Sequence, residues 1–487
     1  MNNYKNHNTK AYNKIIKAFK SKKNAATIAD IAASSALPLS TVKNLVPKAA
    51  DEYSARLEVT ESGEILYSFP LGFTSRYRGL LPFIKRVTEK FIYISLKTSI
   101  VLFKFWIMIM LMGYFLLFMI IALASIFLSM AASSGKNNSR RGSSGNMAFS
   151  MSFFNMIMRL WFYSELTKSH THRRHIYTEP SIPKKPLHKA IFSFVFGDGD
   201  PNVGWEEENK KILLKYLKEN RGVISLPEFM IISGLDPQEA ERAITAFCVE
   251  FNGSPEATED GTVVYCFDDI LLSSEYTNKK PQGLNKATLL IYKTKEDFSS
   301  NPEKMNFWFN VINAFNLVFG MYFLYSAASI GNIITEQSSY IYSLVYVFLL
   351  MFVNINPLPL IPIVLGIIPL LFSVLFWLIP ILRKQYLHKK NKISNFENSR
   401  KLIFFKIWDT PISVKKKNLG EANDNTKDKV IKEMGYYCIP EITLDENNNE
   451  VYDFIELERE KHVLEKFRLS VDPDKFSIGT TVFDSGE

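Results

Sequence analysis

Two spacings of apolar residues alternate along the chain. Between residues 9 and 69 they first recur every three or four positions. Ile15, Ile16 and Phe19 form one face of a lysine-rich segment, and Thr27 to Ile31 opens a second, short segment that ends near Ala36-Leu37-Pro38. Val42, Leu45, Val46 and Ala49 line a third, with Ser40 or Thr41 placed to cap it. Pro47 lies inside that third helix and predicts a kink or a shortening, because proline offers no backbone N–H. The spacing then changes to alternation. Arg56–Val59 and Glu64–Phe69 read as strands joined by Thr60-Glu61-Ser62-Gly63, where Gly63 is free to take positive φ. Three helices followed by a hairpin is the winged-helix plan.

Residues 213–267 repeat this pattern at a constant offset of 198. Thr60-Glu61-Ser62-Gly63 aligns with Thr258-Glu259-Asp260-Gly261, Tyr67 with Tyr265, Phe69 with Phe267, and Val46 with Ile244. Self-similarity that preserves hydrophobic class, turn and strand together indicates duplication. A third, degenerate copy is expected near the C-terminus. Asp445–Phe454 repeats the hairpin, Val430, Ile431 and Met434 line a helix, and Leu402–Trp408 lines an earlier one; the middle helix has no counterpart.

Between the copies the pattern disappears into apolar runs. From Phe307 to Leu382 the single ionisable side chain is Glu336. Roughly 20 apolar residues cross a bilayer, so this run suffices for two crossings. Phe105–Ala132 is also free of charge, and Lys104 at its edge can reach back to the headgroups. Met147–Leu166 contains Arg159 and Glu165, and reads as a second crossing or an interfacial helix. The basic flanks, Lys168–Lys189, Lys279–Lys304 and Arg383–Lys401, favour the cytoplasmic side. The working topology crosses out at Phe307–Ile330 and back at Pro357–Leu382, with Tyr340–Asn354 as a half-helix or re-entrant piece. Five crossings with an external C-terminus is the alternative.

The expected fold class is therefore an α-helical polytopic membrane protein with α+β winged-helix-like cytoplasmic modules arranged as an internal repeat. Its parts are module one (1–75), a basic amphipathic segment (76–98), a membrane hairpin (99–166), a basic linker (167–199), module two (200–275), a linker (276–305), a membrane block with a proline-rich break (306–382), and a C-terminal region with the degenerate copy (383–487).

Composition changes this picture in two places. The net charge of +9 fits loops facing anionic lipid as well as nucleic acid. Cys248, Cys266 and Cys438 are dispersed and odd in number, which argues for a reduced compartment and against a disulfide or cysteine–metal framework. Met1–Lys5 is polar, so no cleavable signal is expected. The N-terminus is assigned to the cytoplasm, the whole to the inner membrane.

Candidate chemistry is sparse. Asp198, Asp200 and Asn202 alternate like oxygen ligands, but Val203 and Asn209 stand where an EF-hand needs glycine and glutamate. The competing reading is a helix start with Asp200 as cap and Pro201 in the first turn. His170, His172 and His175 could hold zinc, yet their neighbours Arg173 and Arg174 make a headgroup-facing loop the simpler reading. For DNA, the third helix should be basic. In copy two it carries Glu239, Glu241 and Glu250, which would repel phosphate. Lys14 and Lys17 in the first helix remain as partner or membrane-surface contacts, together with Arg173 and Arg174. Asn310, Asn313 and Asn316 mark one face of an apolar helix, as interhelical bonds or as a polar path. There is no Walker loop, GxSxG, HExxH or dinucleotide fingerprint, so no catalytic residue, cofactor or metal is expected.

Phe194-Val195-Phe196-Gly197-Asp198-Gly199-Asp200-Pro201-Asn202, followed by the Thr258–Gly261 hairpin, resembles a poorly characterised family of cyanobacterial and chloroplast membrane proteins with duplicated Thr-Glu-Asp-Gly hairpins. The resemblance covers about residues 15–270 and implies the modular architecture. The iron–sulfur description of some plant members finds no support in three dispersed cysteines. The expected function is a non-enzymatic membrane scaffold or regulator that binds a protein partner or another copy of itself, with the lipid bilayer as its other partner. A transporter or channel component and a membrane-tethered DNA-binding regulator are the alternatives.

Overall fold

A computed structural model of the chain describes residues 2–22, 25–74, 76, 80–133, 185–274, 280–284, 290–330, 340–353, 356–446 and 448–486. It forms two compact units. One comprises Met1–Thr88, Asp200–Glu296 and Lys389–Glu487; the other comprises Glu89–Gly199 and Asp297–His388.

In the first unit one order of elements occurs three times. The first set has helices Asn2–Ser21, Ile28–Ser35 and Leu39–Glu52, then strands β1 (Arg56–Thr60) and β2 (Ile65–Ser68). The second has helices Trp205–Glu219, Leu226–Ser233 and Pro237–Phe251, with β3 (Val223–Ser225) before the middle helix and β4 (Ser254–Ala257) and β5 (Val263–Cys266) at the end. In the third, the end of helix Ile368–Asp409 leads to β6 (Val414–Lys415), a 3-10 turn Lys416–Leu419, helix Asp424–Gly435, and strands β7 (Glu441–Leu444) and β8 (Glu450–Asp453). Helix Ile455–Ser470 and strand β9 (Thr481–Asp484) close the chain.

Local chemistry explains the recurrence. Thr60 N–H donates to Glu64 O and Gly63 N–H to Thr60 O; the same two bonds join Thr258 to Thr262 and Gly261 to Thr258. Gly63 and Gly261 reach φ +80° and +81° there, a region that favours glycine. Asn448, a residue that tolerates this conformation, takes the place in the third hairpin at φ +62°. All three sheets are antiparallel, in the orders β2-β1-β9, β3-β5-β4 and β6-β8-β7. Ala26 pairs with Tyr67, Ile224 with Tyr265 and Val414 with Tyr452, so a tyrosine of the second hairpin strand sits opposite the residue entering the middle helix each time. The first set closes over Ile15, Phe19, Ile31, Val42, Val46 and Tyr67. The second and third share one core, in which Leu214, Ile244 and Phe247 belong with Phe404, Trp408 and Met434.

Three local expectations change. Helix Leu39–Glu52 is preceded by Pro38 at its N-cap, with Ser40 inside it, and continues through Pro47 to Glu52. Asp200 does not cap a helix. It accepts from Asn202 N–H at 2.9 Å within a turn, and the helix starts at Trp205 behind Gly204 at φ +91°. The stretch before Glu296 is not loose linker either. Asn202, Asn391 and Asn398 each pair with the backbone of one residue in it, donating from Nδ2 to the carbonyl and accepting its N–H through Oδ1. Their partners are Thr294, Glu296 and Lys293, at 2.8–3.0 Å. These amides supply the bonds a neighbouring strand would supply.

The second unit is helical. Three helices are long and apolar enough to cross a membrane by length and composition: Ile94–Ser125, Glu303–Ser329 and Pro357–Asp409. The first is continuous with its basic lead-in from Leu80, through a π-turn at Ile109–Gly113. Helix Tyr340–Phe348 ends in another π-turn, Leu349–Val353. The chain resumes at Pro357, where Asn356 Oδ1 accepts from Leu358 N–H, and passes through a π-turn at Pro362–Ile367 into the 42-residue helix Ile368–Asp409. π-Turns shift the backbone bonding register and leave carbonyls for other donors. Asn316 Nδ2 donates to Leu111 O at 2.8 Å, and Tyr114 Oη to Val364 O at 2.9 Å, both carbonyls lying in such turns. Met147–Leu166, His170, His172, His175, Arg173, Arg174 and Glu336 lie outside the described residues.

Candidate functional site

The groups with the strongest electrostatic demands are two carboxylates at equivalent positions of the first two sets. Thr27 and Asp30 form a capping box at the start of helix Ile28–Ser35; Ser225 and Glu228 form one at the start of Leu226–Ser233. Both acids are buried, about 1% exposed. Each also receives a cation from a later element. Asp30 takes Lys218 Nζ at 3.1 Å, the hydroxyl of Ser273, and Ser274 through its N–H at 3.0 Å and its Oγ at 2.7 Å. Burial opposes ionisation of Asp30, but Lys218 and the Ser273 and Ser274 donors outweigh it and hold the carboxyl far below its ordinary range. Thr27 Oγ1 donates to Leu272 O at 2.8 Å beside it. Glu228 takes the Arg468 guanidinium in a fork, with Nη1 at 3.0 Å from Oε1 and Nη2 at 2.5 Å from Oε2, and accepts Tyr216 Oη at 2.6 Å. Arg468 also donates to Val223 O at 2.8 Å. Two charges buried together are tolerated when remaining donors and acceptors are satisfied in this way.

Glu460, eight residues before Arg468, has no such help. It is 8% exposed, and both its oxygens accept from Tyr437 Oη, at 3.0 and 2.8 Å. Burial pushes its carboxyl up to about 7; the Tyr437 bond works against this, and the nearby Glu228 charge adds to it.

The Asp200 turn borders a charged cleft of about 580 Å³. Lys14, Lys293, Lys390, Asp200, Glu207, Glu397 and Trp205 line it. Lys390 lies 2.7 Å from Asp200 and 2.6 Å from Glu296; Lys293 pairs with Glu397; Lys14 lies 2.5 Å from Glu207. Lys390 is the chief reason that the Asp200 carboxyl sits below its ordinary range. Lys401 Nζ stands 4.8 Å from the centre of the Trp205 ring, a cation–π distance. With each lysine paired, the cleft holds charge of both signs and offers no nucleophile with an adjacent base.

In the second unit, Asp198 meets Lys185, Ser193 Oγ at 2.8 Å, and the N–H and Oγ of Ser300 at 2.9 and 2.7 Å. The two aspartates of the glycine-rich motif thus serve different partners, and no group of three metal-ligating side chains occurs among the described residues. Gly197 is needed there: at φ +84°, a Cβ would come within 2.2 Å of Arg383 Nη1. Arg383 donates to Phe194 O at 3.0 Å and Phe298 O at 2.6 Å.

Of the residues singled out from sequence, Lys14 is engaged with Glu207 and Lys17 is exposed on the first helix. Arg173 and Arg174 are outside the described residues. Asn310 accepts from Trp377 Nε1 at 3.0 Å, Asn313 Nδ2 donates to Ser373 O at 2.9 Å, and Asn316 reaches Leu111 O. Asn313 and Asn316 are fully buried. Among the described residues their Oδ1 atoms and Ser373 Oγ have no hydrogen-bond partner. A partly open apolar pocket of about 430 Å³ is lined by residues such as Leu117, Ile121, Val345, Phe348, Ile361 and Leu365. Sequence reasoning missed Asp30, Glu228, Arg468 and Arg383. The signal for the first two was present: Thr27-x-x-Asp30 and Ser225-x-x-Glu228 are capping-box spellings at the repeat offset.

A protein of Arabidopsis thaliana described as uncharacterized and chloroplastic is 22% identical to this chain over 456 residues, spanning 90% of this chain and 80% of the relative. This distant similarity is consistent with a poorly characterised chloroplast or cyanobacterial type of protein. No family model matches the chain. No solved structure matches it.

Proposed function

We propose that this chain is a non-enzymatic, membrane-anchored scaffold or regulator, whose three helix–hairpin sets are winged-helix-like interaction modules on the cytoplasmic side of an inner membrane. The observation that carries this reading is the use of Asp30 and Glu228. Buried ion pairs of the first unit join module one to module two and module two to the helix after module three. The three apolar helices supply the anchor. A DNA-binding role has less support. The third helices of modules one and two, Leu39–Glu52 and Pro237–Phe251, touch each other; the exposed face of the second carries Glu239 and Glu241, which would repel phosphate, and Lys43 of the first is paired with Asp269 at 3.2 Å.

The test is purification of the full chain from its native membranes under mild detergent. A protein that co-purifies in fixed ratio, with no salt-dependent binding of duplex DNA, is the expected result. Transport is a second reading, favoured by the unpartnered Asn313 Oδ1, Asn316 Oδ1 and Ser373 Oγ among apolar helices. A solute flux in proteoliposomes that Asn313→Leu abolishes would put transport in place of the scaffold.

A further inference from the structure

The outer edge of β1 carries a strand that comes from the far end of the chain. Glu58 pairs with Asp484 and Val59 with Phe483; after a register shift, Thr60 pairs with Thr481. Further backbone bonds extend the contact: Ser485 N–H to Leu57 O at 2.9 Å, Glu61 N–H to Thr480 O at 3.0 Å, and Ser62 N–H to Ile478 O at 3.3 Å. The charged side-chain contact is a fork. Arg56 grips the Asp484 carboxylate, with Nε 2.7 Å from Oδ1 and Nη2 against Oδ2.

What this strand lacks is apolar burial. Val482 is 69% and Phe483 60% exposed. In β8, by contrast, Val451 and Tyr452 are each 7% exposed. β9 and its flanks are therefore attached by main-chain bonds, the Arg56 fork and side-chain hydrogen bonds such as Thr480 Oγ1 to Glu61 Oε1 at 2.5 Å and Leu57 N–H to Ser485 Oγ at 2.8 Å, the pattern of a peptide added to a sheet edge and not of a core strand. The equivalent outer edges, β4 and β7, carry no added strand among the described residues. The core of module one, with Ile31, Val46 and Tyr67 of β2, includes no residue of β9.

We propose that the β1 edge is a strand-accepting docking site, that its ligand is an extended peptide carrying a carboxylate opposite Arg56, and that residues 478–486 are a built-in occupant which such a peptide must displace. This deepens the scaffold reading and rests on it, by naming one surface and the chemistry of its partner. Backbone pairing supplies the affinity, and the Arg56 fork supplies the register and the preference for an acidic residue.

The probe is a fluorescent synthetic peptide of residues 477–487, added to detergent-purified full chain and to a chain ending at Phe476, with binding read by anisotropy. A tethered strand competes at an effective concentration on the order of millimolar. The shortened chain is expected to bind the peptide saturably, and the full chain at least about tenfold more weakly. Arg56→Glu in the shortened chain should abolish binding, and a peptide with Asp484→Arg should restore it. Asp484→Lys in the full chain, which alters one exposed side chain and removes nothing from the core, should open the edge to the wild-type peptide. Hydrogen exchange across Asn2–Ser68 verifies that module one stays folded in each case. A folded module that ignores the peptide, or binding indifferent to Arg56→Glu, overturns the proposal. A partner that still co-purifies with such a chain leaves the scaffold reading standing, so the two failures are distinguishable.

Discussion

Replacing Glu460 by glutamine should stabilise the first unit, increasingly as pH rises above about 4.5 and fully above about 7. The wild-type carboxyl is buried, has Tyr437 as its hydrogen-bond donor, and titrates at about 7 against an ordinary 4.5. At about 1.4 kcal/mol for each tenfold change in proton affinity, holding it ionised in the fold costs about 3 kcal/mol. The direction follows from linkage. Between the two values the folded chain keeps a proton that the unfolded chain has released, so stability falls as pH rises, by up to about 1.4 kcal/mol per pH unit, and the full penalty is present above pH 7. Glutamine can still accept from Tyr437 but cannot ionise. Hydrogen exchange followed by mass spectrometry on helices Ile455–Ser470 and Asp424–Gly435, comparing the two chains at the same pH and in the same detergent, reads the difference. The variant should be better protected at about pH 8 and indistinguishable at about pH 3.5, below the unfolded value. Lower protection of the variant at the higher pH, or an equal difference at both, would refute the argument that the charge is uncompensated.

Three further outcomes are expected. Arg468→Met leaves Glu228 charged and buried with no cation, only the Tyr216 hydroxyl and the Ser225 N–H, and should cost about 3–5 kcal/mol in denaturant titrations followed by tryptophan fluorescence, with Trp408 of the shared core as reporter. Asp30→Asn should loosen helix Ile28–Ser35 in hydrogen exchange at neutral pH. Because the folded carboxyl is depressed, its contribution is present above the unfolded value near 3.9 and vanishes as pH falls through the folded one, so variant and wild type should converge in acid. Gly234→Ala meets two obstacles at once, φ +78° and a Cβ position 2.6 Å from Lys401 Cε, and should cost about 1–3 kcal/mol in the same titrations.

What could be read in advance was local. The Thr60–Gly63 and Thr258–Gly261 turns dictate their hairpins through one glycine and two backbone bonds, so periodicity and turn chemistry suffice to place β1, β2, β4 and β5. The capping boxes are local too, but the role of their acids is not. Asp30 matters because Lys218 arrives from 188 residues away, and Glu228 because Arg468 arrives from 240. The Asp200 turn was misread because Pro201 suggests a helix start, while Gly204, with its positive φ, sets the true one. β9 has no apolar alternation aimed at a core, and the extended stretch at 293–296 is ordered by asparagines seven residues apart on one helix; neither leaves a periodic trace. Asn310, Asn313 and Asn316 were visible as polar residues in an apolar helix, but their partners on other helices were not.

The paired carboxylates also give the three sets a direction. Asp30 in the first set is answered from the second, and Glu228 in the second is answered from the helix that follows the third. Each acid works as a socket, and the plug that comes from another set lies downstream; Asp30 has in addition Lys22 of its own set at 4.0 Å. In the third set the middle helix has shrunk to Lys416–Leu419, whose residues are two lysines, an asparagine and a leucine. It has no carboxylate to receive another plug. The pairing between sets therefore runs one way, from an acid at the start of a middle helix to a cation on a later element, and the third set offers no acid at that position.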